Sequence, residues 1–223
     1  MGKEKKRSLL THRENEACCC LIGAGLFGGH FDPLQEGDLV IACDGGMDSC
    51  RERQISPDIV IGDFDSLGYV PAGANVIKLP VRKDVTDLWA AYREGVSRGY
   101  RYFRIYGAAG GARPSHTMAN IQMLTHMALN GCRGELHGEG AVYTVIHNDS
   151  IAMAYTDGSD INHISVLSLS ERSAGVTIRG LSYETEDAVL TYDFPLGVGN
   201  LPEKKDAEIS VKEGTLLIIT ETA

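Results

Sequence analysis

The sequence is poor in several things that would each have pointed to a different protein. Aromatic residues make up only 7%, with a single tryptophan, and no apolar run reaches the length a bilayer span requires. Basic residues are outnumbered: Lys+Arg 21 against Asp+Glu 30 leaves a formal charge of −9, which disfavours holding nucleic acid by neutralising phosphates. Six cysteines lack the short paired spacing of zinc ligands, and three of them run consecutively as Cys18, Cys19 and Cys20. They read as small buried hydrophobes in a reducing compartment, so a cytoplasmic protein without membrane or nucleic-acid partners is expected. With 223 residues, 43% of them hydrophobic, the chain has enough material for one large domain or two small ones.

The rhythm changes part-way along. Residues 1–17, basic at first, read as a flexible tail without the long apolar core of a signal peptide. From residue 18 to about 135, short apolar runs alternate with helical periods, the pattern of a mainly parallel sheet with flanking helices. Strands are expected at 19–22, 39–43, 59–61, 75–79 and 102–106. One helix is expected over 85–97 with Leu88, Ala91, Tyr92 and Val96 inward. Another opens near Ser115 and turns Met118, Ile121, Leu124 and Leu129 inward. After the glycine-rich stretch 131–140 the helical period vanishes, and 136–223 reads as an all-β sandwich of short strands. The expected fold class is therefore an α/β N-terminal domain joined to a C-terminal all-β sandwich domain.

Acids and glycines recur at the strand ends of the first half. Gly62-Asp63-Phe64-Asp65-Ser66 follows the strand 59–61; an extended continuation would put Asp63 and Asp65 on one face and Phe64 on the other. Two such carboxylates repel each other unless a cation joins them, and their oxygens suit Mg²⁺; the plainer alternative is a turn in which they accept backbone N–H bonds. Asp84 and Asp87 flank a helix start, where Asp84 can cap while Asp87 completes a three-carboxylate site. Asp44-Gly45-Gly46 repeats an acid and a flexible turn. The loop 107–113, with Gly110, Gly111 and Arg113, precedes a helix whose N-terminus favours an anion, although no Walker A pattern is present. Together these features suggest a magnesium-dependent enzyme acting on a nucleotide.

In this order and spacing the motifs resemble the thiamine pyrophosphokinase (thiamine diphosphokinase) family. The resemblance runs from Asp44-Gly45-Gly46 through Gly62-Asp63-Phe64-Asp65-Ser66, Asp84-Val85-Thr86-Asp87 and His116-Thr117-Met118-Ala119-Asn120 to Gly180-Leu181-Ser182-Tyr183 and Leu196-Gly197-Val198-Gly199-Asn200. It implies diphosphate transfer from ATP to thiamine with release of AMP, by a homodimer whose active sites lie between subunits. It makes Asp63, Asp65 and Asp87 the Mg²⁺ ligands and, with Arg113, the catalytic set. Asp44, Gly45, Gly46, Gly110, Gly111, His116 and Asn120 would line the ATP site, and Tyr183 and Asn200 would meet thiamine, where an aromatic face suits a cationic thiazolium. Three places depart from the pattern: Ser115 stands where a carboxylate is usual, the glycine loop is one residue longer, and Gly199 replaces a serine. They leave two alternatives to be tested: transfer or hydrolysis with another acceptor, and a non-catalytic nucleotide or thiamine sensor.

Overall fold

The computed structural model describes residues 16–28, 30–64, 69, 75–82, 84–157 and 159–222. The expected tail therefore lies almost wholly outside the described residues, as does Asp65. The chain forms two compact units, one holding Ala17–Gly29 and Gln35–Val145, the other His30–Leu34 and Ile146–Ala223.

The first unit is built on six parallel strands: β1 (Cys18–Ile22), β2 (Leu39–Cys43), β3 (Ile59–Gly62), β4 (Asn75–Lys78), β5 (Tyr102–Tyr106) and β6 (Arg133–Gly138). They lie side by side in the order β4-β3-β2-β1-β5-β6, and β7 (Ala141–His147) adds an antiparallel strand beside β6. Strands β1, β2, β3 and β5 are buried along their whole length, which is why they read as unbroken apolar runs. All six cysteines are buried free thiols, three of them in β1.

Three helices belong to this unit: α1 (Gly46–Glu52), α2 (Asp87–Ser97) and α3 (Pro114–Leu129). α2 starts two residues later than the periodicity suggests. Its N-cap is Thr86, whose hydroxyl accepts from Trp89 N at 3.2 Å, and not Asp84. Its buried face is Leu88, Ala91, Tyr92 and Gly95, with Gly95 replacing Val96 because the helix presses there on Phe103 and Cys19. α3 turns Ile121 and Leu124 inward as expected, but Met118 and Leu129 stay outside. Met118 and Leu129 are 60% and 54% exposed, while Asn120, Ile121, Met123, Leu124 and Met127 are buried. Gly134 of β6 decides this, since a Cβ there would stand 2.5 Å from Leu124 Cδ2 and 2.8 Å from Met127 Sδ.

The second unit is all β. β8 (Ser150–Met153), β9 (Ile161–Ser168), β10 (Arg172–Arg179), β11 (Thr185–Thr191), β12 (Gly197–Asn200), β13 (Ala207–Ser210) and β14 (Thr215–Thr222) follow in sequence. One layer runs β11-β10-β13-β8; in the other, β12, β9 and β14 lie side by side. Alternate side chains of both layers meet in one core, including Ile151, Ile164, Val166, Val176, Ile178, Ile209, Leu216 and Ile218. This is the expected sandwich, with β12 as a strand that its glycines concealed. Among the described residues no helix is long and apolar enough to cross a membrane.

Candidate active site

The chain runs outward from β1 through β2, β3 and β4, then returns to place β5 on the opposite side of β1. A parallel sheet that reverses in this way opens a crevice at the carboxyl ends of the two strands flanking the reversal. Here that edge is framed by two glycine-bearing loops in contact. Gly23 N donates to Tyr106 O at 2.8 Å and Gly25 N to Gly107 O at 2.8 Å. A Cβ on Gly23 would lie 2.5 Å from Gly107 O, and one on Gly107 would lie 2.4 Å from Gly23 O. Sequence reasoning passed over Gly23-Ala24-Gly25; the available signal was a glycine pair immediately after a buried strand.

Asp44 ends β2 in a left-handed conformation, φ 45°, with its N–H donating to Ile61 O at 2.8 Å across the gap to β3. Gly62 fits against it, since a Cβ on Gly62 would be 3.1 Å from Asp44 Cα. Asp63 follows directly, so the acids closing β2 and β3 are neighbours. The strand does not continue beyond Gly62: Phe64 has φ 63° and is 5% exposed, which overturns the extended continuation expected through 63–65. Asp87 opens α2 on the same side. The buried Cys43 thiol is pushed well above its ordinary pKa, first by desolvation and next by the charge of Asp87, with Asp44 adding to it.

The acids fit a divalent cation in kind. Among the described residues Asp44 Oδ1 is buried with no hydrogen-bond partner, a costly state for a carboxylate oxygen that a hard cation would relieve. Among the described residues no group of three His, Cys, Asp or Glu side chains is gathered closely enough to hold a metal, and Asp65, one of the expected ligands, lies outside them.

The loop after β5 carries Gly107, Gly110 and Gly111 at φ 63°, 78° and 76° and leads into Pro114, the first residue of α3. Arg113 and His116 are exposed at the helix start, Arg113 Nη1 lying 3.5 Å from His116 Nε2. Asn120 is spent within the protein, its Nδ2 donating to Ala108 O at 2.7 Å. Gly46 has a packing reason of its own, because a Cβ there would meet Ile22 O at 2.0 Å.

In the second unit Tyr183 is 75% exposed, so it is no core aromatic. Asn200 is buried and clamps the backbone of Tyr183: Oδ1 accepts from Tyr183 N and Leu201 N, both at 2.9 Å, and Nδ2 donates to Tyr183 O at 2.8 Å. Gly199 stands at φ 74°, a conformation in which serine would be strained.

Comparison with known proteins places this arrangement. The profile of the thiamin pyrophosphokinase catalytic domain matches residues 32–135, and that of the thiamin pyrophosphokinase vitamin B1 binding domain matches residues 153–216. The chain belongs to the thiamin pyrophosphokinase family. Its activity is that of a thiamine diphosphokinase. Among solved structures, the thiamine pyrophosphokinase of Bacillus subtilis is similar at 22% identity and a TM-score of 0.80, over 92% of this chain and 99% of that one. The enzyme from Geobacillus thermodenitrificans matches at 23% identity and 0.77, over 92% and 98%. The yeast enzyme matches at 13% identity and 0.70, over 95% and 88%. No curated protein matches significantly. At these identities the solved structures bear on the fold, and the two family profiles carry the activity.

Proposed function

We propose that the chain moves a diphosphate group from ATP to the hydroxyethyl oxygen of thiamine, giving thiamine diphosphate and AMP, at the carboxyl edge of the parallel sheet. The observation that carries this reading is the packing of Asp44, at the end of β2, against Gly62, which Asp63 follows at the end of β3, beside the paired glycine loops of β1 and β5. The thiamine oxygen attacks the β-phosphorus, the bond from that phosphorus to the AMP oxygen breaks, and the hydroxyl proton passes to an aspartate of the site. Arg113 and the amides at the tip of the glycine loop hold phosphate oxygens, where developing charge needs fixed donors. Asp63, Asp65 and Asp87 would hold Mg²⁺, which shields the phosphate charge, and Asp44 would line the ATP site. The exposed ring of Tyr183, its backbone fixed by Asn200, supplies a face for the thiazolium.

Incubation with ATP, thiamine and Mg²⁺, read by mass spectrometry, is expected to give thiamine diphosphate and AMP only when all three are present. ADP or AMP formed without thiamine would mean a hydrolase or another acceptor. ATP or thiamine stabilising the fold with no product would mean a sensor.

A homodimer is part of the proposal. The stretch around β11 and β12 exposes Tyr192, Phe194, Leu196 and Val198 at 68%, 64%, 63% and 60%, far more apolar surface in one short segment than a free monomer usually shows. Phe194→Asp is expected to shift the species seen by light scattering from two copies to one; an unchanged mass would place the interface elsewhere. The six buried free thiols support placing the protein in the cytoplasm.

A further inference from the structure

The sequence reading put Asn120 against ATP, yet its side chain is turned under the glycine loop. Thr117, three residues earlier and so on the same face of α3, does the same thing: its Oγ1 accepts the Gly110 N–H at 2.9 Å. Between these two anchors Ala109 is 2% exposed. The base of the loop, Ala108 to Gly110, is thus fixed at a carbonyl, a buried methyl and an amide. The tip that begins beyond the Gly110 amide is less tightly held. Among the described residues no heavy atom comes within 4 Å of a Cβ position on Gly110, whose only anchor is its N–H, and at Gly111 the nearest is Leu26 Cγ at 3.7 Å. Left-handed glycines in open space have many conformations to lose, so without the anchors the tip would be ordered only at the ligand's expense.

We infer that Thr117 and Asn120 are positioning residues, which do not touch the nucleotide but hold the loop so that its tip and Arg113 meet the phosphates of ATP already arranged. The inference rests on the proposed ATP site. It also accounts for a helix that spends a buried, hydrogen-bonding Asn on the face it turns to the core.

Thr117→Val removes the acceptor at nearly constant volume on a half-buried residue. Because Asn120→Ala would also leave a hole in the core, the threonine variant discriminates better. The expected result is a KM for ATP raised about tenfold, the equivalent of one hydrogen bond, with the KM for thiamine and the melting temperature nearly unchanged. Exchange of the Gly110 amide with deuterium should speed up by a similar factor, and Thr117→Ser should restore both quantities. An unchanged Gly110 exchange rate, a parallel rise in both KM values, or failure of the serine variant to rescue would overturn the inference. If the wild-type protein makes no thiamine-dependent product, calorimetric titration with ATP and Mg²⁺ replaces the KM. In that case ATP binding weakened together with faster Gly110 exchange supports the anchors, and unaltered binding sinks them.

Discussion

Asp63→Asn and Asp87→Asn should each lower turnover by about 10²–10³-fold while moving the melting temperature by no more than about 2 °C. Both changes keep the size and shape of the side chain and remove only its charge. Asp63 follows the last residue of β3 and Asp87 is the first residue of α2, so neither holds up a strand or a helix interior. Asp87 does sit at the positive end of α2, but Thr86 already caps that helix, and the loss of one favourable charge there amounts to about 0.5 kcal/mol. The expected loss in rate corresponds to about 3–4 kcal/mol at the transition state, far beyond what the fold loses. The measurement is kcat with saturating ATP, thiamine and Mg²⁺, alongside thermal unfolding. Near-normal kcat in both variants would remove these acids from the mechanism. A matching fall in kcat and in stability would make them structural.

How much of this was legible beforehand depends on whether the deciding contact is local. β2 and β5 were readable to the residue because each is buried on both faces, so its whole length is written as apolar residues. The pairing of Asp44 with the end of β3 was not readable. It depends on Gly62 lying in the neighbouring strand and on a left-handed φ at a non-glycine residue, neither of which has a local signature. The inward face of α3 was legible only in part: Ile121 and Leu124 turn inward as periodicity says, whereas Met127 packs by Gly134, in the strand after the helix, of which the helix sequence carries no trace. β6 was hidden because Arg133-Gly134-Glu135-Leu136-His137-Gly138 has the composition of a link, yet it pairs with both β5 and β7. The acids and glycines themselves were visible as residues. Their hydrogen bonds were not: Asn120 of α3 donates to the Ala108 carbonyl in the loop before that helix, and Asn200 of β12 bonds the backbone of Tyr183, seventeen residues earlier.

Glycines that look alike in the sequence should separate sharply when replaced. Gly107 and Gly131 have nearly the same backbone, φ 63° and 68°, so alanine at either position meets a similar left-handed strain of about 1 kcal/mol. Around Gly131 no described atom comes within 4 Å of the new methyl group, whereas at Gly107 it would stand 2.4 Å from Gly23 O and 3.0 Å from Gly23 C. Those atoms are backbone and cannot rotate aside. To admit the methyl, the loops of β1 and β5 must part, breaking the hydrogen bonds from Gly23 to Tyr106 and from Gly25 to Gly107. Gly107→Ala should therefore cost about 3–5 kcal/mol, roughly a 10 °C fall in melting temperature, against about 1 kcal/mol for Gly131→Ala. Because the crevice at the sheet reversal is framed by those same two loops, Gly107→Ala should also weaken ATP binding in whatever fraction remains folded, while Gly131→Ala leaves it intact. Equal stability losses at the two positions would mean that backbone strain alone governs both, and that the loops are not held together at this point.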